Sequence, residues 1–387
     1  MYKLKTLNKI AQAGLDVVTD NGILVNNEAA DPDAIMVRSA DMKSMELPKS
    51  LLCIARAGAG TNNIPIDVCT QQGIAVFNTP GANAEAVKEL VICALLMASR
   101  DVVGGIEWVH SIKENGAEIP KMVEKGKSSF IGPEIAGKTL GVVGLGAIGA
   151  KIANTALDLG MKVYGYDPYL SVDAAWRLSS QVKHATDIDT IYQNCDYITL
   201  HVPYMKDTHH MINREAFAKM KDGVRIINLA RAELVDDEAL LEAIDSTKVA
   251  RYVTDFPNAV TANAPNTIPM PHLGASTPES EEKCAIMAAQ EAADYLLNGN
   301  IKNSVNLPAV TLERMGESRV CVIHKNVPRM LNSFLDLIGG ENINVAHMVN
   351  AARGEVAYTI IDTDTPVSAG IADAIAAMGD VIRVRVL

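Results

Sequence analysis

The stretch from Thr139 to Tyr169 constrains the fold of this chain more than any other feature. It consists of a β-branched apolar run, a glycine-rich turn, a helical stretch and a second apolar run, TLGVVGLGAIGAKIANTALDLGMKVYGYDPY. This succession within about 30 residues is typical of a βαβ unit, which requires a parallel sheet. The turn Gly144-Leu145-Gly146-Ala147-Ile148-Gly149 fits the pattern G-x-G-x-x-G.

Each polar or small residue of this unit has a physical role in holding a dinucleotide. Gly144 allows the tight turn, Gly146 lets the backbone approach a pyrophosphate at the helix N-terminus, and Gly149 permits close helix–strand packing. Asp167, 18 residues beyond Gly149, would bind a ribose 2′-hydroxyl and repel a 2′-phosphate. Because no arginine adjoins Asp167, the predicted cofactor is NAD rather than NADP. The alternative is a glycine turn in an α/β protein without a ligand.

The remainder of the chain repeats the same alternation of short apolar runs and helical stretches, for example in AIMVRS, IAVFN, YITLHVP, VRIINLAR and DDEALLEAID. This pattern predicts layered, doubly wound α/β sheets. After Glu317, a series of about 70 residues follows the order β-α-β-β-α-β. That order predicts a compact ferredoxin-like α+β tail.

Composition narrows the classes of protein that remain. A chain of 387 residues has room for two or three domains, and 48% hydrophobic with 21% charged residues excludes disorder. The net charge of −11 disfavours nucleic acids and anionic membranes as partners, and no apolar run is long enough to span a membrane. The six cysteines form no CxxC pair, so neither a metal site nor a disulfide framework is predicted, and a cytoplasmic location is expected.

Further motifs extend along the chain in a fixed order: RAGAGTNNIPID, VFNTPGANAEAVKEL, the glycine turn, LHVP, NLARAELVD, TDFP and PHLGAST. In these motifs the chain resembles the D-2-hydroxyacid dehydrogenase family, and most of all its phosphoglycerate dehydrogenase branch with a C-terminal ACT domain. The resemblance covers nearly the whole chain. It implies a flavodoxin-like substrate-binding domain at 1–90 and 275–305, an inserted Rossmann-like NAD-binding domain at 91–274, and an ACT-like regulatory domain at 317–387.

Arg231 and His272 are the predicted catalytic residues. Oxidation of an alcohol beside a carboxylate needs a base for the hydroxyl proton and a cation for the carboxylate. An imidazole titrates near neutral pH, and an arginine binds a carboxylate in a bidentate manner. The alternative for His272 is a structural histidine before a tight turn. The alternative for Arg231 is a surface ion pair.

One departure from the family concerns the support of His272. Most relatives carry a glutamate shortly after the strand that ends here in TDF, whereas 255–260 of this chain contains none. Ala232 and Glu233 follow Arg231, where the family usually has a glycine. Whether Glu233 or another acid orients His272 stays open at the level of sequence.

The resemblance also assigns binding positions. Further cofactor-binding positions are Ala147, Ile148, His201, Val202, Pro203, Thr208, Ala230, Asp255 and Gly274. The substrate-binding positions are Arg38, Ser39, Ala59, Gly60 and Asn83, with Lys43 and Arg56 as weaker candidates for a phosphate. The lysines of 121–127 either reach the site of a neighbouring subunit or form a solvated charged face.

The expected activity is NAD-dependent oxidation of 3-phospho-D-glycerate to 3-phosphohydroxypyruvate, the first step of L-serine biosynthesis. The alternatives are another D-2-hydroxyacid dehydrogenase, such as a glyoxylate/hydroxypyruvate reductase, and a dinucleotide-sensing regulatory protein. The substrate is thus a phosphorylated hydroxyacid, and a homo-oligomer, dimer or tetramer, is expected.

Three residues of the tail match the positions that bind L-serine as an effector in serine-sensitive relatives: His324, Asn326 and Asn344. Amides and an imidazole can bind both the carboxylate and the ammonium of a small amino acid. Pro328-Arg329 stands where relatives commonly have proline and glycine. The alternative is that the three polar residues only cap strand and turn ends.

Overall fold

A computed structural model describes residues 1–387 apart from the side chain of residue 173. Its contacts divide the chain into two compact units. The first unit comprises Met1–Asn83 and Pro278–Leu387, and the second comprises Ala84–Thr277. The second unit is thus inserted into the first.

The first unit begins with a parallel α/β sheet. Its elements are β1 (Lys3–Thr6), α1 (Gln12–Asp20), β2 (Leu24–Val25), β3 (Ala34–Val37), β4 (Cys53–Arg56), α2 (Ile66–Gln71) and β5 (Ala75–Phe77). The five strands pair in the order β2-β1-β3-β4-β5, all parallel. Every residue of β3 and β5 is buried, as expected for parallel strands covered on both faces.

The second unit holds a seven-stranded parallel sheet. Its helices and strands are α3 (Ala84–Ser99), α4 (Val102–Ser111), α5 (Ile119–Gly126), β6 (Thr139–Val143), α6 (Ala147–Asp158), β7 (Lys162–Tyr166), α7 (Val172–Ala175), β8 (Lys183–His184), α8 (Ile188–Asn194), β9 (Tyr197–Leu200), α9 (Arg214–Lys219), β10 (Val224–Asn228), α10 (Asp237–Asp245), β11 (Val249–Thr254) and β12 (Thr267–Pro269). Three 3₁₀ turns lie at Lys113–Glu118, Lys127–Phe130 and Ala232–Leu234.

The strands of this sheet follow the order β12-β11-β10-β9-β6-β7-β8. The chain enters at β6, runs to β8 on one side, and then starts again at β9 on the other side of β6. The strand order therefore reverses between β6 and β9, which is where open α/β sheets bind their ligands. The doubly wound sheet and the βαβ unit predicted from the sequence are confirmed.

The chain then returns to the first unit and ends in an antiparallel sheet. The elements are α11 (Pro278–Asn298), β13 (Ser318–Lys325), α12 (Met330–Gly340), β14 (Val345–Arg353), β15 (Val356–Thr363), α13 (Ala369–Ala376) and β16 (Val381–Val386). The sheet order is β14-β15-β13-β16, with every pairing antiparallel. This confirms the β-α-β-β-α-β order predicted for the tail.

Two arginines attach this tail to the end of α11. Arg319 is fully buried, forms a bidentate ion pair with Asp362, and donates a hydrogen bond to the carbonyl of Asn298 at 2.7 Å. Arg385 donates to the carbonyls of Tyr295 at 3.0 Å and Leu296 at 2.6 Å. The last carbonyls of a helix lack intrahelical partners and carry partial negative charge, so both arginines stabilise the helix end. The tail therefore shares a unit with the first sheet.

The longest described helix, α11, has 21 residues and carries several carboxylates. None of the helices in the described part of the chain is both long and apolar enough to cross a membrane.

Candidate active site

The glycine turn after β6 is packed too tightly for side chains at two of its positions. Gly144 has a φ of +92°, and a Cβ there would stand 2.6 Å from the carbonyl oxygen of His201. A Cβ at Gly149 would stand 1.9 Å from the carbonyl oxygen of Gly144. Because these two residues have no side chains, β6 can lie against the end of β9 and α6 can pack close to its strand, as the motif predicts.

The third glycine faces open space, and this is where the chain fits a dinucleotide. Gly146 is exposed, and no described atom lies within 4 Å of the position that its Cβ would take. It immediately precedes α6, whose first backbone N–H groups have no partner within the helix. An open helix N-terminus without side chains in front of it suits a pyrophosphate.

Asp167 lies at the end of β7 beside this turn. Its Oδ2 accepts a hydrogen bond from the N–H of Leu145 at 2.8 Å, and its Oδ1 accepts one from Tyr169 at 2.9 Å. The carboxylate thereby fixes the glycine turn. Since each carboxylate oxygen has two acceptor sites, both oxygens can still accept from a ribose hydroxyl.

The segment after β9 lines the other side of the strand-order reversal. The imidazole Nε2 of His201 lies 2.8 Å from the hydroxyl of Thr199, and burial lowers the pKa of His201 to about 3. His201 is therefore neutral at physiological pH. Thr208 closes the following turn, because its hydroxyl donates to the carbonyl of Pro203 at 2.8 Å and accepts from the N–H of Met205.

Asn228 holds the backbone of Arg231 after β10. The Asn228 side chain is fully buried, its Oδ1 accepts from the N–H groups of Ala230 and Arg231, and its Nδ2 donates to the carbonyl of Arg231 at 2.8 Å. The guanidinium carbon of Arg231 lies 5.3 Å from the ring centroid of Phe256. A buried amide thus fixes the loop that presents the arginine.

His272 packs against the same phenyl ring. The ring centroids of Phe256 and His272 are 4.4 Å apart, with an interplanar angle of 46°. His272 itself is exposed. The structure therefore brings the two predicted catalytic side chains onto one residue, Phe256, which directly follows Asp255 at the end of β11.

Asp255 is almost completely buried below this cluster. Its Oδ2 accepts from the N–H of Gly274 at 3.0 Å, whereas its Oδ1 is buried and has no hydrogen-bond partner among the described residues. Burial raises the pKa of Asp255, an effect that the Gly274 hydrogen bond and the charges of His272 and Arg231 partly offset. An unsatisfied buried oxygen here suits an amide donor such as a nicotinamide carboxamide.

No acid among the described residues forms a hydrogen bond with the imidazole of His272. Its imidazole forms a ring contact with Phe256 but no hydrogen bond to any described side chain. Glu233 is exposed, and its carbonyl accepts from the N–H of His210. The ring of Phe256 is thus the described side chain that packs against His272.

The predicted substrate residues lie in the first unit, after the carboxyl ends of its strands. Arg38 and Ser39 follow β3, Ala59 and Gly60 follow β4, and Asn83 follows β5. These five positions therefore share one edge of the parallel sheet.

The loop after β3 is fixed by Asn8, whose Oδ1 accepts hydrogen bonds from three consecutive N–H groups, those of Arg38, Ser39 and Ala40, at 2.9–3.1 Å. The guanidinium of Arg38 forms an ion pair with Glu281 at 2.6 Å. Asn83 Oδ1 and Thr79 Oγ1 are buried with no described partner. The carboxyl edge of the first sheet thus carries two oxygens without described partners, those of Thr79 and Asn83, and the cation of Arg38.

The tail residues predicted to bind an effector differ in exposure. His324 is buried, and its ring nitrogens contact the carbonyl of Lys325 at 2.8 Å and the hydroxyl of Thr359 at 2.9 Å. Asn326 and Asn344 are exposed. Their amides donate to the carbonyl of Gly354 and to the carboxylate of Asp364.

Arg329 has a φ of +73° at the start of α12. Glycine adopts this left-handed conformation without strain, which accounts for the glycine of the relatives at this point. The arginine side chain is exposed.

The lysines of 121–127 lie on α5 and the turn that follows it. Lys121 pairs with Glu118 at 4.0 Å, and Lys127 pairs with Glu124, in both cases with largely exposed side chains. A solvated charged face accounts for these contacts within one chain.

Three residues that support the site were not singled out from the sequence: Asn228, Phe256 and Asn8. Asn228 has a visible signal, because it is a polar residue at the end of an apolar strand. Phe256 and Asn8 act on residues distant in sequence and have no comparable signal.

The comparisons with known proteins place this geometry in a family. Residues 92–274 match the model of the D-isomer specific 2-hydroxyacid dehydrogenase NAD binding domain. The chain is 36% identical over 342 residues to a D-3-phosphoglycerate dehydrogenase of Synechocystis, covering 82% of this chain and 58% of that protein. It is 38% identical over 266 residues to a hydroxypyruvate reductase of Thermotoga maritima, covering 66% of this chain and 81% of that protein.

A solved structure shows the same fold. The NAD⁺-bound 3-phosphoglycerate dehydrogenase of Entamoeba histolytica matches with a TM-score of 0.62 and 26% identity, covering 79% of this chain and 98% of that chain. The chain spans about 60% of the length of several curated phosphoglycerate dehydrogenases that it matches.

The fold and the glycine turn define a nicotinamide-dinucleotide-binding α/β protein. The chain belongs to the D-isomer specific 2-hydroxyacid dehydrogenase family. Residues 92–274 match the NAD-binding domain of this family, so the family membership and the NAD cofactor predicted from the sequence are confirmed.

Proposed function

We propose that the protein catalyses the NAD-dependent oxidation of 3-phospho-D-glycerate to 3-phosphohydroxypyruvate, the first step of L-serine biosynthesis. The observation that carries this proposal is the cluster of Arg231, Phe256 and His272 in the unit that also holds the open glycine turn. Several relatives at 29–36% identity bear the name D-3-phosphoglycerate dehydrogenase.

In this proposal, His272 and Arg231 share the chemical work. His272 accepts the proton of the substrate hydroxyl, for which an exposed imidazole without a competing partner is suited. Arg231 binds the carboxylate and the developing carbonyl oxygen. NAD, when bound, would supply the hydride acceptor. The glycine turn and Asp167 would hold its pyrophosphate and ribose, and Asp255 would accept a hydrogen bond from its carboxamide.

The substrate phosphate is assigned to Arg38 and Ser39 on the first unit. The loop fixed by Asn8 presents the cation of Arg38 together with the hydroxyl of Ser39. Since Arg38 pairs with Glu281, a phosphate would compete with that carboxylate, and its larger charge favours the phosphate. Gly60, Ala59 and Asn83 complete this edge.

A second candidate activity is reduction of hydroxypyruvate or glyoxylate, favoured by the 38% identity to the Thermotoga hydroxypyruvate reductase. The two activities differ in the need for a phosphate. The test is steady-state turnover with 3-phosphoglycerate, D-glycerate and D-lactate. The formation of NADH is the measured signal. We expect the highest kcat/KM with 3-phosphoglycerate. Equal or better turnover of D-glycerate would support the second activity.

We further propose that L-serine inhibits the enzyme through the tail. The exposed amides of Asn326 and Asn344 can bind the carboxylate and ammonium of an amino acid. Feedback requires the effector to bind one conformational state better than another. Inhibition of the wild type by millimolar serine, and its loss in Asn344→Ala, is the expected result. Unchanged wild-type activity with no binding in calorimetry would contradict it.

We also propose a homo-oligomer in the cytosol. The helix α4 has no buried residue although it is apolar, with Val102, Ile106 and Val109 each more than 40% exposed. Such an apolar face is typical of an interface between protomers. The six cysteines are all free, which suits a reducing compartment. Light scattering on the purified protein should give a dimer or tetramer, and a monomer would contradict the assembly.

A further inference from the structure

A cavity lies in the first unit, on the side of α11. Its volume is about 520 Å³, within the range of small-molecule sites. It is lined by Asn21 after α1, by one face of α11, and by the segment that follows α11. All of these residues belong to the first unit, so the NAD-binding residues of the second unit take no part in it.

Glu291 is the buried acid of this cavity. Only 7% of the residue is exposed, and its Oε1 accepts a hydrogen bond from the amide of Asn303. Its Oε2 is buried and has no hydrogen-bond partner among the described residues. Glu291 is one of the residues that line the cavity, so a ligand there would lie next to the side chain whose Oε2 lacks a partner. Buried polar atoms without partners are rare in folded proteins and call for an explanation.

The other charges of the cavity cancel. Asp294 accepts hydrogen bonds from Asn298 at 2.9 Å and Asn300 at 3.0 Å, and it forms an ion pair with Lys302 at 3.2 Å. The carboxylate of Asp294 is therefore saturated and neutralised. Glu291 forms no ion pair among the described residues, and when it ionises only the more distant charge of Lys302 partly offsets its negative charge. Burial raises its pKa to about 7, so both protonation states occur near neutral pH.

The donor set argues against a metal ion and for an organic cation. Lys302 already occupies the cationic position beside Asp294. Across the described residues, no three His, Cys, Asp or Glu side chains come together in a way that could hold a metal. The rest of the lining, including Asn21, Gln290 and Asn303, offers amide groups suited to hydroxyls or further polar atoms.

We propose that this cavity is a binding site for a small polar molecule carrying a primary ammonium group, which donates to Glu291 Oε2. The ammonium supplies both the missing hydrogen bond and the missing positive charge. The amides around it hold the polar body of the ligand. The carbonyl of Asn298, whose side chain touches Asp294, also receives Arg319 of the tail. The site thus lies where α11 meets the C-terminal sheet.

The test compares amines with neutral analogues on the full chain. The amines are ethanolamine, Tris, putrescine and glucosamine, and the analogues are ethylene glycol, pentaerythritol, 1,4-butanediol and glucose. The readout is the ¹³C chemical shift of the Glu291 carboxyl carbon in wild-type protein, which needs no variant. We expect at least one amine to shift this signal in a saturable manner and the analogues to leave it unchanged. If no amine shifts it, or the analogues shift it equally, the proposal is wrong.

Two variants then locate the binding. Glu291→Gln keeps the shape of the side chain but removes the charge, so affinity for the responding amine should fall about tenfold or more. Glu282→Gln removes the same charge from an exposed position on the same helix and should bind as the wild type does. Equal affinity of all three proteins would contradict the assignment. Turnover with NAD is not a readout here, so this result is independent of the proposed activity.

Discussion

The rings of Phe256 and His272 pack with their centroids 4.4 Å apart, and the guanidinium carbon of Arg231 lies 5.3 Å from the same phenyl centroid. Phe256 follows Asp255 directly, and the carboxylate of Asp255 holds the N–H of Gly274, two residues after His272. The end of β11 therefore positions the histidine from two sides, by ring packing and by a backbone hydrogen bond.

Phe256→Leu should lower kcat for the hydroxyacid by about 10- to 100-fold, because a small misplacement of a reacting group is that costly. Phe256→Tyr preserves the ring and should retain most of kcat. Both are measured by steady-state kinetics, with the thermal midpoint of unfolding as a control for folding. If the leucine variant turns over like the wild type, Phe256 does not position His272.

Asp167→Asn should raise the ratio of NADP to NAD usage by about tenfold or more, since removing one repulsive charge near a phosphate is worth roughly 1–4 kcal/mol. The asparagine Oδ1 can still accept from the N–H of Leu145, which keeps the glycine turn in place. The ratio of kcat/KM for the two cofactors is the measurement. Comparable use of NADP and NAD by the wild type would contradict this role of Asp167.

Arg38→Ala should reduce kcat/KM for 3-phosphoglycerate by about 10- to 100-fold, the range of a lost charge-assisted hydrogen bond. Turnover of D-glycerate, which lacks the phosphate, should change far less. Lys49→Ala, an exposed cation eleven residues further on, is the matched control. Glu281→Gln should lower KM for 3-phosphoglycerate, because it frees Arg38 from its ion pair. Equal losses with both substrates would remove Arg38 from the phosphate site.

Glu291 should make the protein less stable as the pH rises from about 4.5 to 7. Its pKa in the folded state is about 7, above the ordinary value of 4.5. In that window the folded state holds a proton that the unfolded state has lost, so stability falls with rising pH. The thermal midpoint of the wild type minus that of Glu291→Gln should decrease across this window, by the equivalent of about 1–3 kcal/mol, and then level off. A constant difference would show an unshifted pKa.

The sequence predicted the elements whose signals are local. The glycine turn, its flanking strands and Asp167 lie within a single βαβ unit, and their identity follows from spacing and hydrophobicity. The β-α-β-β-α-β order of the tail was likewise predictable, because the hydrophobic residues of its strands and of its helices repeat with different periods.

What the sequence did not predict depends on contacts between distant residues. Arg319 and Arg385 lie in alternating strands, where a charged side chain normally faces solvent. Both instead bind carbonyls at the end of α11 and join the tail to the first unit. The packing of the Phe256 ring against His272 and the hydrogen bonds from the Arg38 loop to Asn8 are likewise contacts between residues distant in sequence.

The most direct test of the account is the kinetics of His272→Ala with 3-phosphoglycerate and NAD. We predict that kcat falls by about 10²–10⁴-fold, the usual contribution of a general base, while NAD binding measured by calorimetry stays unchanged. The wild type must show NAD-dependent turnover of 3-phosphoglycerate in the same assay. Near-normal kcat in the variant, or no turnover by the wild type, would contradict the account.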